Sequence, residues 1–229
     1  MKYLKLAALL SLVLSLASCG GGGGGSTGGS TIGGGNSGGG GGGQTLLNAT
    51  LQGAYYKVPT NGDADFVCNS TTLSQTTGLL QSQLSVNGLP VASQGAPIFD
   101  LTSTREVLWW STTNPNVTVD VAAVTTSLPI TLQDFFPTGQ SNDSLQMRTA
   151  HWKGTLPSAS NSSFTFAVSS DDDSWVFLDG ALVLDNGGIK EVGTTVKTVP
   201  VTSGNHTVDI FYADRCTAKA VMGFAVTQP

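Results

Sequence analysis

Much that would mark a helical, catalytic or nucleic-acid-binding protein is missing from this chain. Apolar residues at helical spacing are nearly absent, which argues against a fold built on amphipathic helices. Within residues 44–229 no Gly-x-Ser-x-Gly elbow, His-Glu-x-x-His pair or Walker loop occurs, so the common hydrolase, zinc-protease and nucleotide signatures are lacking there. The two histidines, His151 and His206, lie far apart with no Cys or Glu at ligand spacing, which argues against zinc. Ten basic residues against fifteen acidic argue against a nucleic-acid partner. Glutamate is scarce: only Glu106 and Glu191 are Glu, and the other thirteen acids are Asp. Aspartate favours turns and loops, so a loop-rich β fold is expected.

No apolar run is long enough to span a bilayer. In "MKYLKLAALLSLVLSLAS", Lys2 and Lys5 precede an apolar run from Leu6 to Leu16, the pattern of an export signal over residues 1–18. Leu16-Ala17-Ser18-Cys19 resembles the bacterial lipobox. That resemblance implies cleavage before Cys19 and lipidation of its thiol, the alternative being an ordinary secretory signal. Gly20 in place of Asp after the cysteine implies sorting to the outer membrane. Residues 19–43 then form a tether, since 17 of the 24 residues from Gly20 to Gly43 are Gly. Such a segment has almost no apolar surface to offset its ordering entropy and reaches roughly 25–30 Å as a flexible chain. Without Lys2 and Lys5, eight basic residues face fifteen acidic, a formal charge of −7. That argues against electrostatic binding to anionic lipid and leaves the lipid anchor as the expected membrane contact.

Residues 44–229 are long enough for one domain with a sizeable core. With Cys19 assigned to lipid, Cys68 and Cys216 remain, an even pair that suggests one disulfide in an exported protein; two separate buried thiols are the alternative. Alternating apolar residues mark strands at Asn116–Val124 (Val117, Val119, Val121), at Phe164, Phe166 and Val168, and at Val208, Ile210 and Tyr212. "WVFLDGALVLD" reads as two strands joined by Asp179-Gly180, a strong hairpin signal. Short strands at this spacing predict an all-β, antiparallel β-sandwich. Thr71–Leu84 is open between a short helix and a loop.

Several pieces in order resemble the protective-antigen-type (PA-fourteen) β-sandwich of jelly-roll type and its fibro-slime relatives. "LQGAYY" (Leu51–Tyr56) resembles that family's opening strand, and "AHWKGTL" (Ala150–Leu156) its Arg-Trp-x-Gly-x-Leu strand. "FTFAVSSDDDSWVFLDGALVLDNGG" (Phe164–Gly188) is similar to the central signature, and "GNHTVDIFYAD" (Gly204–Asp214) to the closing strand. The third Asp and Trp175 are nearest the fibro-slime variant. His151 stands where Arg is usual, and Lys190 where the fibro-slime pattern tends to have His. The stretch Asp63–Thr138 matches poorly.

The run "SSDDDSWVFLDG" carries the candidate site. In a regular strand Asp171 and Asp173 share a face and Asp172 points away. Convergence of Asp171 with Asp172 requires a break in the strand, which a hard divalent cation with six to eight oxygen ligands would stabilise. The family resemblance implies this: in its sugar-binding members an Asp-Asp pair joined by a cis peptide holds Ca²⁺, which ligates sugar hydroxyls. Carried over, the pair is Asp171 and Asp172, with Asp173, Asp185 and Asn186 as further metal or sugar candidates. A tight loop with Asp side chains capping backbone amides is the structural alternative. Asp171-x-Asp173 does not open an EF-hand, because Trp175 takes position five and no Gly follows.

Of the tryptophans, the adjacent Trp109 and Trp110 are expected to face opposite ways, one to the core and one to the surface. Trp152 and Trp175 are expected in the core, and the histidines at strand ends or in hydrogen bonds. The expected function is a non-catalytic, Ca²⁺-assisted carbohydrate-binding or adhesion module at the bacterial cell surface. A matrix or surface-assembly module that contacts proteins ranks second. A glycoside hydrolase ranks third, because consecutive Asp on one loop cannot easily flank a scissile bond.

Overall fold

The computed structural model describes residues 43–59, 63–66, 77–134, 146–215 and 220–229. The expected export signal and the expected tether up to residue 42, with Cys19, Cys68 and Cys216, lie outside the described residues. Two antiparallel sheets face each other. The first holds β1 (Thr45–Leu46), β11 (Val221–Gln228), β6 (Ser162–Ser170) and β9 (Gly193–Val201) in that order, with β4 (Ile130–Asp134) also pairing β11. The second runs β3 (Thr118–Ser127), β2 (Thr50–Pro59), β5 (Gln146–Ser158), β10 (Gly204–Ala213), β7 (Asp173–Leu178) and β8 (Ala181–Asn186).

The alternation read from the sequence sets the inner face. Val208, Ile210 and Tyr212 of β10 point between the sheets and meet Phe164, Phe166 and Val168 of β6 in one apolar cluster with Trp152 and Leu156. Because neighbouring strand residues face opposite ways, Phe211 and Ala213 point out of the sandwich. They are nonetheless buried, because Phe66 and side chains from Leu79 to Val117 pack over the outer face of the six-stranded sheet. A second core forms there from Phe66, Leu79, Leu80, Ile98, Trp109 and Trp110 against Val58, Trp175, Phe177 and Phe211.

Trp109 and Trp110 depart from expectation: both are buried, at 0% and 3% exposure. They occupy a short 3-10 helix, Leu108–Trp110, not a strand, so adjacency does not send them to opposite faces. Trp109 Nε1 donates to Asp65 Oδ2 at 2.9 Å, and Trp110 Nε1 donates to the Tyr212 carbonyl at 3.0 Å. Trp152 and Trp175 are fully buried, as expected. Val119, on the edge strand β3, is exposed. Gly53 is where strand and ring meet: a Cβ there would lie 2.5 Å from Trp152 Cδ1 and 2.7 Å from the His151 carbonyl.

The hairpin turns at Asp179 (φ 51°) and Gly180 (φ 79°), the paired left-handed conformations that a two-residue hairpin favours. Asp179 is tied to the start of β10. Its Oδ1 accepts from Thr207 N at 2.8 Å, and its Oδ2 meets His206 Nδ1 at 2.7 Å. His206 Nε2 faces the Thr202 carbonyl at 3.0 Å. Both ring nitrogens therefore face acceptors, which only the imidazolium satisfies in full. The Asp179 bond, then the Thr202 carbonyl, raise the His206 pKa above its ordinary value. A raised folded-state pKa adds stability that is complete below the unfolded pKa of about 6.5 and is lost as pH climbs through the folded one. His206→Gln is thus expected to lower the melting temperature more at about pH 5.5 than at about pH 8.5, read by thermal melts of both proteins in matched buffers.

Candidate functional site

Three chain crossings between the sheets meet at one end of the sandwich. Asp171 and Asp172 carry the chain from β6 to β7, Gly187–Val192 carries it from β8 to β9, and a third crossing runs from β10 to β11. The aspartate run links all three. Asp171 Oδ1 accepts from Val221 N at 3.0 Å and from Tyr212 Oη at 3.1 Å. Asp172 Oδ1 accepts from Lys190 N at 3.0 Å and its Oδ2 from Arg215 N at 2.7 Å. Asp173 Oδ1 accepts from Gly188 N, and its Oδ2 from Arg215 Nε at 2.6 Å.

The backbone turns as these bonds require. Asp172 adopts φ 49°, a left-handed conformation that Asp tolerates better than most residues. The Asp171–Asp172 peptide is trans, unlike the cis bond implied by resemblance; Leu128–Pro129 is the cis peptide among the described residues. The loop is buried, with Asp171, Asp172 and Asp173 at 8%, 3% and 0% exposure. Charge buried this deeply needs countercharge and hydrogen bonds. Arg215, itself 2% exposed, pairs with Asp173 and lies 4.9 Å over the Trp109 ring. Burial and then the Asp171 carboxylate push the Tyr212 pKa well above its ordinary value.

Asp185 and Asn186 come to the same end, but their side chains serve the surrounding frame. Asp185 Oδ1 accepts from Trp175 Nε1 at 2.8 Å, and Oδ2 from Gly78 N at 2.8 Å. Asn186 Nδ2 donates to Ser170 Oγ and Ser174 Oγ at 2.9 and 3.1 Å, and its Oδ1 accepts from Thr195 Oγ1 at 2.9 Å.

The Asp171–Asp172 pair does not fit a divalent ion with a ligand position open to solvent. Its carboxylates are engaged by donors from the two other crossings and by Tyr212 of β10. An ammonium already stands beside it: Lys190 Nζ donates to the carbonyls of Asp172, Asn186 and Gly188.

A second acidic group escaped the sequence reading. Asp63, Asp65 and Asp100 bring carboxylate oxygens within 4.8 Å of one another, a set able to hold a metal ion. Asp65 accepts from Phe99 N, Asp100 N and Trp109 Nε1, and Asp63 Oδ1 accepts from Asp65 N. Asp100 Oδ2 is buried with no hydrogen-bond donor. Burial first, then the neighbouring Asp63 and Asp65, raise the Asp100 pKa to about 7. Burial likewise raises that of Asp65. An all-oxygen donor set suits a hard cation such as Ca²⁺. Asp63-x-Asp65 in a turn-rich stretch was the available signal; Asp100 lies too far along the chain for spacing to reveal it. Phe99, whose backbone N donates to Asp65, is 68% exposed.

Two antiparallel sheets crossed at one end by a buried aspartate loop define an all-β sandwich. Residues 98–229 match the PA14 domain, and the chain belongs to that family. Among solved structures, a PA14 sugar-binding domain from an RTX adhesin is 14% identical, with 79% of this chain and 89% of that one covered and a TM-score of 0.39. The PA14 domain of the MpAFP antifreeze protein is 14% identical, with 78% and 80% covered and a TM-score of 0.36. The GH31 α-xylosidase of Xanthomonas citri is 12% identical at a TM-score of 0.35 over 46% of this chain, which spans 14% of that enzyme's length. No curated protein matches.

Asp173→Ala is expected to destabilise the domain by about 3–5 kcal/mol, since it leaves the Arg215 guanidinium buried without its carboxylate. Urea unfolding measures the loss. The double variant Asp173→Ala with Arg215→Met should lose less than the two single variants added together.

Proposed function

We propose that the chain is a non-catalytic, calcium-assisted glycan-binding or adhesion module displayed on the bacterial cell surface. The observation that carries this reading is membership of the PA14 family, matched across the whole aspartate loop. The geometry supports binding over turnover. Glycoside hydrolysis uses two carboxyl groups about 5 Å or more apart on either side of the scissile bond. Asp171, Asp172 and Asp173 instead accept from protein donors along one loop. Calcium is assigned to Asp63, Asp65 and Asp100, where carboxylate oxygens gather. Phe99, joined to Asp65 through its backbone N and itself exposed, offers an aromatic ring on which a sugar can stack.

Glycan-array binding of the mature chain tests this reading. A signal weakened by EDTA and by Phe99→Ala is expected. No signal for the wild type would sink it, and calcium that raises the melting temperature without any glycan signal would favour a surface-assembly role.

The display itself rests on Cys19 and the glycine tether. Among the described residues no helix is long and apolar enough to cross a membrane. Cys19→Ala should move the protein from the outer-membrane fraction to the soluble one, read by fractionation and immunoblot. Retention in the membrane fraction would remove the lipid anchor from the proposal.

A further inference from the structure

Three consecutive aspartates folded into a nearly dry loop need positive charge close by, and the Arg215 side chain supplies it at Asp173. A second cation among the described residues is Lys190. Its ammonium has three N–H donors and no acceptor, and it meets three backbone carbonyls: Asp172, Asn186 at 2.5 Å and Gly188 at 3.1 Å. Donors and acceptors match one for one. Lys190 is also fixed through its own backbone, since its N donates to Asp172 Oδ1 at 3.0 Å and its carbonyl accepts from Asp172 N at 3.2 Å. The side chain is therefore part of the crossing, unlike a surface lysine folded inward.

Carbonyl oxygens gathered at one point beside carboxylates are the donor set of a hard divalent cation. We propose that Lys190 is the resident cation of the Asp171–Asp173 loop, holding the place among the Asp172, Asn186 and Gly188 carbonyls that a divalent ion would otherwise take. The loop is thereby set without metal, and a ligand that reaches it through a bridging ion is excluded. Burial draws the lysine pKa down, while Asp173, Asp172 and Asp171 draw it back up. The inference is independent of glycan binding and of the Asp63, Asp65 and Asp100 cluster, which is a separate set of carboxylates.

The experiment counts calcium ions bound per chain by native mass spectrometry. It compares the mature wild type with Asp172→Asn, Lys190→Ala and the variant carrying both changes. Wild type and Asp172→Asn should bind equal numbers, whatever the other cluster holds. Lys190→Ala should bind one ion more than wild type, and adding Asp172→Asn should remove that ion. Loss of an ion in Asp172→Asn relative to wild type would overturn the proposal. So would a folded Lys190→Ala, checked by circular dichroism, that gains none. If Lys190→Ala does not fold, the first comparison still decides: equal counts support the resident lysine and a lost ion refutes it.

Discussion

The end of the sandwich where the chain changes sheets three times is held by a single polar knot. Any crossing between sheets breaks ladder pairing and leaves backbone amides to be satisfied elsewhere. Here the amides of Gly188, Lys190, Arg215 and Val221 all find partners on three adjacent carboxylates. Adjacent like charges repel, but the left-handed turn at Asp172 and the separate partner segments send them apart. The local cost of the charges is offset by joining three loops that would otherwise close independently. The buried Arg215 then carries the knot outward, over Trp109 and toward the second core.

That second core changes what the six-stranded sheet is. Both of its faces are covered, one by the other sheet and one by the segment around Trp109 and Trp110. Phe211 shows the consequence. It sits in an alternating strand at an outward position, yet it is buried and stacked on His151 with ring centroids 4.1 Å apart. His151 in turn meets Asp209 at 2.8 Å. The segment least like a regular element therefore supplies Trp109, which fixes Asp65, so the acidic cluster depends on packing in that layer as much as on its own carboxylates.

The strands were legible because their information is local. Val208, Ile210 and Tyr212 alternate within one strand, and Asp179-Gly180 announces its own turn. The covering layer was not, since Leu79, Ile98 and Trp109 follow no period and are gathered by tertiary packing alone. At the site, the position of the aspartate run could be read but its partners could not: Lys190 is 18 residues from Asp172, and Val221 is 50 from Asp171. The family resemblance pointed to an external cation, and nothing local shows that a lysine from the next crossing arrives there. The same limit hid Asp100, which meets Asp65 across 35 residues. Trp109 and Trp110 were misread through an assumption of extended backbone that a single helical turn removes.

The way the chain enters the sandwich has a mechanical meaning. β1 is two residues long and pairs at the sheet edge with Thr227 and Gln228, with one further backbone bond from Leu47 N to the Val226 carbonyl. Tension applied from residue 43 would open those few bonds one after another, as a zipper does, before loading any long strand. The polar knot lies on strands joined by much longer ladders. A pull on the leading end would therefore pay out a short length of slack while the folded body kept its shape.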